Sequence, residues 1–134
     1  MRATLLCGLL LAAAGPSAVA QEGQSHPVRL VHGGGEEFRF DPRRIEAAPG
    51  DVVEFVVESG GPYVIGFEGS NLDVQDRDLL NQALPDRTGL LRGPVLSRPG
   101  SSFRFTVPPV SHRSYRLISF THLAYRMEAE LVVR

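Results

Sequence analysis

The sequence has no lysine, a single cysteine and no strong excess of charge of either sign. The missing lysine excludes Schiff-base and other amine chemistry, because no other side chain supplies that nucleophile. A formal net charge of -1 and a pI near 6.4 leave no broad basic surface for a phosphate backbone or an anionic membrane. We therefore expect no nucleic-acid partner.

The first twenty residues have the three parts of a secretory signal peptide. Arg2 supplies the charged start, residues 5–14 form an apolar run, and the Ala-Val-Ala sequence at residues 18–20 is a small-residue cleavage site. The apolar run is about half of the roughly 20 residues that span a bilayer, so we predict no permanent membrane anchor. We predict that the mature chain begins at Gln21 and is exported to the periplasm or outside the cell.

The single cysteine, Cys7, lies inside this segment and would be removed with it. The mature chain then contains no cysteine, which excludes disulfides, zinc–thiolate sites, iron–sulfur clusters and thiol catalysis. The fold must therefore be stabilised by packing.

From Val28 onward, short runs rich in Val, Phe and Ile are interrupted by Gly and Pro at close intervals. Apolar and polar residues alternate most clearly within residues 51–58, 101–107, 115–119 and 127–133. Alternation with period two is typical of strands that have one buried face. The pattern favours an all-β sandwich or barrel over residues 28–134, preceded by a flexible leader at residues 21–27.

The pattern changes between Asp73 and Leu84, where apolar residues recur at roughly helical spacing. Asp73 is suited to cap a helix, and Pro85 ends the run. We predict one short helix inside the long connection of residues 69–99. Because long loops often carry function, we expect a binding function specific to this protein in this connection.

Three residues around the last two predicted strands have side chains that could bind a metal or that stand at metal-ligand spacing. Ser119, His122 and Met127 follow one another at intervals of three and then five residues, around the connection between two alternating runs. In this pattern the chain resembles the cupredoxins, the plastocyanin-like blue copper proteins. That family has Cys, His and Met at these positions, where they bind one copper ion together with an earlier His.

The earlier His position falls after the Pro-Gly-Asp turn at residues 49–51 and the strand that follows it, where Pro62 precedes Tyr63. By this resemblance, Tyr63 replaces the family's first His and Ser119 replaces its Cys. The resemblance extends over about residues 28–133 and implies a Greek-key β-sandwich, the cupredoxin-like fold. It also implies that His122 and Met127 remain as residual metal-ligand positions, while two of the four are replaced.

The two replacements remove the chemistry on which a blue copper site depends. A short copper–thiolate bond, in a plane of two His and one Cys with a weak axial Met, tunes the redox potential. A serine hydroxyl is too weakly acidic to replace that thiolate, and a tyrosine phenol titrates near ~10. We therefore predict a degenerate type 1 copper site and no cofactor. Copper would be the cofactor only if the chain is instead a copper-binding protein with an altered centre.

Each of these residues also has a structural interpretation. Met127 suits the strand core, and His122 suits a loop position that is hydrogen-bonded or solvated. We expect the ring of Tyr63 to fill the space of the metal centre, with its hydroxyl bonded to a partner such as Ser119. The alternative is a residual Cu(I) site at His122 and Met127, since imidazole and thioether both suit that ion.

The other histidines, His26, His32 and His112, have no partner at diagnostic spacing and are predicted at the surface. A hydrolase built on Ser119 and His122 would lack a nucleophile elbow and a matched acid, so no enzyme is expected.

Together these features predict an exported cupredoxin-like protein that acts as a non-enzymatic binding or interaction module. Its partner would be an unidentified protein or small ligand in the periplasm or outside the cell. The alternative is a copper-binding electron-transfer protein with an altered centre. The two functions differ in metal affinity and in the presence of a strong visible charge-transfer band.

Overall fold

A computed structural model describes residues 23–134, so the predicted signal peptide at residues 1–20 lies outside the described residues. The strands are β1 (Ser25–Gly34), β2 (Glu37–Asp41), β3 (Arg44–Ala47), β4 (Val52–Val57), β5 (Tyr63–Phe67), β6 (Arg92–Leu96), β7 (Ser102–Thr106), β8 (Ser114–Ser119) and β9 (Glu128–Val133). One helix, α1 (Val74–Ala83), lies between β5 and β6, and a single 3-10 turn (Leu123–Tyr125) lies between β8 and β9.

The strands form two mixed sheets that face one another. The first has the order β2-β1-β4-β7 and the second the order β3-β9-β8-β5-β6. The pairs β1–β4 and β3–β9 are parallel, and the other pairs are antiparallel. Buried side chains of both sheets form one hydrophobic cluster between them. The predicted all-β sandwich with one short helix is therefore confirmed.

The buried faces follow the alternation in the sequence. Val53, Phe55 and Val57 of β4 are buried, and the residues between them are half-buried. In β7 the buried Phe103 and Phe105 alternate with exposed residues. Because side chains on successive strand residues point to opposite faces, each alternating run buries one face against the other sheet.

The first strand begins earlier than the sequence pattern indicates. Residues 25–27, predicted as part of the leader, pair with residues 52–54 of β4 in parallel register. The predicted boundary at residue 28 is therefore too late. The polar composition of this segment obscured a strand whose backbone groups are satisfied by its neighbour.

A buried carboxylate holds the start of this strand in place. Asp51 accepts hydrogen bonds from the backbone N–H groups of Gln24 and Ala48, each at 3.0 Å, and lies 2.9 Å from Nε2 of His26. The bond from Ala48, followed by that from His26, lowers the pKa of Asp51. His26, predicted at the surface, is half-buried, and the parallel pairing brings it to Asp51, a partner that its spacing in the sequence does not reveal.

The helix begins and ends as the sequence predicts. The side chain of Asp73 caps it by accepting a hydrogen bond from the backbone N–H of Asp76 at 2.8 Å. Leu80 is buried and Leu84 is the C-cap residue, directly before Pro85. Within residues 23–134, no helix has the length and apolar character needed to cross a bilayer.

Asp76 attaches the helix to the second sheet. Its carboxylate accepts a hydrogen bond from the backbone N–H of Ser111 and lies 3.0 Å from the hydroxyl of Tyr115 on β8. The same hydroxyl lies 2.7 Å from the carbonyl oxygen of Ser111. Both Asp76 and Tyr115 are buried, so these bonds satisfy polar groups that would otherwise be costly in the core.

Candidate functional site

The connection between β8 and β9 forms a closed loop at one end of the sandwich. The backbone N–H of Ser119 bonds to the carbonyl of Met127 at 3.1 Å, which joins the two ends of the loop. The N–H of His122 bonds back to the carbonyl of Ser119, also at 3.1 Å. The structure thus brings Ser119, His122 and Met127 together, and all three are buried.

The imidazole of His122 is held by two hydroxyl groups. Its Nδ1 lies 2.9 Å from Oγ1 of Thr121 and 3.2 Å from Oγ of Ser119, and these two hydroxyls are 3.0 Å apart. Desolvation by burial, and then the charge of His32, lower the pKa of His122. The neutral imidazole is therefore favoured, with Nδ1 engaged inside the loop.

Tyr63 lies at the start of β5, and its side chain is completely buried. The centroid of its ring is 5.0 Å from that of His122. Its hydroxyl donates a hydrogen bond of 2.7 Å to the carbonyl oxygen of Ser59. Desolvation by burial raises the pKa of Tyr63, so the phenol is held in its protonated form.

The partner of this hydroxyl differs from the predicted one. We expected a partner such as Ser119, but the hydroxyl reaches the connection between β4 and β5 instead. Gly60 makes this approach possible, because a Cβ at that position would lie 2.8 Å from the Tyr63 hydroxyl. Gly60 also has a φ of +77°, which few other residues adopt.

An aromatic stack that the sequence did not reveal continues outward from His122. The ring of Phe38 lies between the rings of His32 and His122, with centroid distances of 4.2 and 4.0 Å. The ring of Tyr125 contacts Phe38 from a third direction, at 5.0 Å. His32, predicted at the surface, is half-buried in this stack.

The register of the first hairpin could have indicated this stack. His32 and Phe38 are direct cross-strand partners in the β1–β2 pair. Residues opposite one another in an antiparallel pair have neighbouring side chains. That His122 approaches the other face of Phe38, however, depends on how the two sheets meet.

The stack is the inner part of an apolar surface, which we call the aromatic face: His32, Phe38, His122, Leu123 and Tyr125. Leu123 is 56% exposed and Tyr125 is 43% exposed, whereas Phe38 is half-buried. Two large apolar side chains are thus exposed on one loop, next to the stacked aromatic cluster at the candidate site.

The residues at the candidate site do not fit a blue copper ion. Ser119 offers a hydroxyl in place of a thiolate, and Tyr63 offers a protonated phenol whose proton is committed to Ser59. Within residues 23–134, no group of three or more His, Cys, Asp or Glu side chains is arranged to hold a metal. His122 and Met127 alone supply the nitrogen and sulfur donors that copper prefers.

No known protein-family model and no curated protein matches the chain. Its structure is similar to several solved structures. One is the oxidised form of plastocyanin from Dryopteris crassirhizoma, with 23% identity and a TM-score of 0.62 over 81% of this chain and 99% of that chain. Another is the Cu(I) form of an amicyanin mutant, with 16% identity and a TM-score of 0.55 over 87% of both chains.

A third similar structure is a pseudoazurin from Sinorhizobium meliltoi, with 18% identity and a TM-score of 0.51 over 83% of this chain and 74% of that chain. At identities this low, the three likenesses concern the arrangement of the strands. They show that the chain shares the fold of these proteins.

Proposed function

We propose that this chain, which has the cupredoxin fold, is a non-enzymatic binding module whose type 1 copper site has degenerated. It would act after export, on a protein or small ligand in the periplasm or outside the cell. It would carry no resident cofactor. The fold supplies a rigid scaffold, and the loops at the end that contains His122 supply the surface.

The observation that carries this proposal is the state of Tyr63. Its ring occupies the interior beside His122, and its hydroxyl is bonded to the carbonyl of Ser59. A phenolate ligand would require breaking that bond and ionising a buried phenol whose pKa is already raised. Tyr63 is therefore better suited to filling the core than to binding an ion.

The environment of His122 supports the same conclusion. Its Nδ1 is occupied by Ser119 and Thr121, and its ring is stacked against Phe38. In the part of the chain that the structure describes, every buried side-chain nitrogen and oxygen has a hydrogen-bond partner. A polar site that awaits a ligand usually leaves such groups unsatisfied, so this interior supports a structural role.

The aromatic face is the surface through which we propose that the module acts. Leu123 and Tyr125 are exposed on a loop whose ends are fixed by β8 and β9. Aromatic side chains on rigid loops contribute large contact areas at a low entropic cost. A partner with an apolar patch of its own would bury both side chains.

Copper titration tests the proposed loss of the metal site. We expect the purified mature chain, titrated with Cu(I) and Cu(II) and then desalted, to retain no stoichiometric copper and to show no strong visible band. Stoichiometric binding that weakens in His122→Ala or Met127→Ala would contradict the proposal. It would favour a copper-binding electron carrier with an altered centre.

The double variant Tyr63→His with Ser119→Cys is the matched control. If Tyr63 and Ser119 stand at the replaced ligand positions, this variant restores a His, Cys, His and Met donor set. We expect it to bind copper and become coloured. A folded double variant without copper or colour would show that the four positions do not form one site.

A further inference from the structure

A pocket of about 400 Å³ lies beside the long connection of residues 69–99. Its walls combine apolar side chains with two arginines. They are formed by Phe67, Gly69, Arg77, Gly89, Leu90, Leu91, Arg92 and Phe120. We call this the Arg77–Arg92 pocket. No carboxylate side chain lines it.

Arg92 is held in position by an aromatic ring. Its guanidinium carbon lies 4.3 Å from the centroid of Phe120. Stacking on a ring engages the face of the guanidinium and leaves the N–H groups at its edge available. The edge of a stacked guanidinium matches the two oxygens of a carboxylate.

Neither arginine of the pocket has a carboxylate partner, in contrast to six other arginines of residues 23–134. Arg29, Arg39, Arg44, Arg104, Arg116 and Arg134 each form an ion pair with Asp or Glu. Within residues 23–134, neither Arg77 nor Arg92 forms one. Arg77 is half-buried on α1. Two unpaired cations at one pocket favour an anionic ligand.

The pocket is formed by a strained turn. Leu91 has a φ of 60°, which is unfavourable for a residue with a branched side chain. Hydrogen bonds hold it there: its N–H donates to the side-chain oxygen of Asn81 at 2.8 Å, and its carbonyl accepts from Phe67 at 3.0 Å. The turn buries Leu91 and leaves Leu90 62% exposed at the pocket.

A close approach of two backbones supports this turn. A Cβ at Gly66 would lie 1.8 Å from the carbonyl oxygen of Leu91, so only glycine fits there. Three unfavourable features therefore lie around one cavity: the strained Leu91, the close contact at Gly66 and the exposed Leu90. Strain of this kind is concentrated at functional sites, because the rest of the fold must compensate for it.

We propose that the Arg77–Arg92 pocket binds a small monocarboxylate that carries an aromatic ring or a branched aliphatic group. The guanidinium groups recognise the carboxylate, and the exposed Leu90 and the half-buried Phe120 contact the apolar group. This inference goes beyond the proposed function. It stands on different residues, so the results of the copper titration do not affect it.

Phenylacetate is the probe for the first experiment. We expect a titration followed by ¹H–¹⁵N NMR to give saturable shifts of the backbone amides of Phe67, Leu91 and Arg92. A ligand of this size should bind with a dissociation constant below about 5 mM. The proposal is overturned if the shifts are absent, or if their dependence on ligand concentration gives a dissociation constant above about 5 mM.

Three related probes separate charge from apolar contact. Phenylacetamide lacks the charge, acetate lacks the ring, and inorganic phosphate is an anion without an apolar group. We expect each to bind at least about fivefold more weakly than phenylacetate. If phenylacetamide binds as tightly as phenylacetate, the arginines do not recognise the ligand. If acetate or phosphate binds as tightly as phenylacetate, the apolar walls do not contribute to binding. Either result overturns the proposal.

Substitutions locate the binding site. Arg77→Gln and Arg92→Gln should each weaken phenylacetate binding by about tenfold. Arg98→Gln is the matched control, because Arg98 is exposed like Arg92 but lies outside the pocket, and it should leave binding unchanged. If Arg98→Gln weakens binding as much as the pocket variants, the effect comes from net charge and the proposal is wrong.

Leu90→Glu provides a test that does not depend on removing an arginine. Leu90 is exposed, so the variant should fold normally, and thermal unfolding checks this. The new carboxylate would compete with the ligand for the two arginines. We expect phenylacetate binding to be lost in this variant. Unchanged affinity in folded Leu90→Glu contradicts the proposed position of the carboxylate.

Discussion

At the scale of single residues, the hydroxyl of Tyr63 shows how a buried polar atom can be satisfied by the main chain. The ring fills space beside His122, and the hydroxyl bonds to the carbonyl oxygen of Ser59. The bond connects the start of β5 to the segment that precedes it. Tyr63 thereby contributes both apolar area and one specific contact to this end of the sandwich.

Removing this hydroxyl should have a measurable cost. In Tyr63→Phe the carbonyl of Ser59 loses its donor, and we expect the free energy of unfolding to fall by about 1–2 kcal/mol. Urea denaturation at pH 7 measures this change. Tyr125→Phe is the control, because Tyr125 is 43% exposed, and it should change stability by less than about 0.5 kcal/mol. A Tyr63→Phe variant as stable as the parent would refute the assigned role.

At the scale of secondary-structure elements, the main feature is the attachment of α1 to β8. The helix has only one other fully buried residue, Leu80, so its position depends strongly on Asp76. Desolvation by burial opposes ionisation of Asp76, but the hydrogen bonds from Ser111 and Tyr115 outweigh it and lower its pKa. The ionised carboxylate is the form that the helix attachment requires.

We expect Tyr115→Phe to loosen this attachment. The variant leaves one oxygen of the buried Asp76 without its donor, which should cost about 1–3 kcal/mol of unfolding free energy. The loss should be accompanied by faster hydrogen exchange in α1, measured by NMR. Exchange rates in β4, which lies in the other sheet, serve as the internal reference. Equal acceleration in both elements would indicate a global effect and contradict a local attachment.

At the scale of the whole molecule, the stability of the fold is linked to pH through a few buried groups. The pKa of His122 is lowered from 6.5, first by desolvation and then by the charge of His32. The unfolded chain therefore binds a proton at His122 before the folded chain does. Stability should fall as the pH drops below about 6.5, since protonation favours the unfolded state.

A second loss of stability should occur at lower pH. The pKa values of Asp51 and Asp76 lie below their ordinary value of 3.8, so their stabilising effect is present above that pH and is lost as the pH falls below it. Urea midpoints measured from pH 8 to pH 2 should show both stages. In His122→Phe the loss of stability near pH 6.5 should be smaller, while the loss at acidic pH should remain. If the first stage is unchanged in this variant, it does not arise from His122.

The sequence alone determined the class of the fold and the position of its main elements. Alternation with period two defined the buried faces of β4, β7, β8 and β9, and Asp73 and Pro85 marked the ends of the helix. These signals are local, because each depends on residues a few positions apart. The spacing of Ser119, His122 and Met127 likewise identified a loop that the structure closes into one cluster.

Only the tertiary structure decided which distant groups meet. The partner of Tyr63, the pairing of His26 with Asp51 and the stack of His32, Phe38 and His122 each join segments that are far apart in the chain. The Arg77–Arg92 pocket likewise combines α1, β5, β6 and Phe120, the residue that follows β8. Such contacts depend on strand order and sheet packing, which local periodicity does not contain.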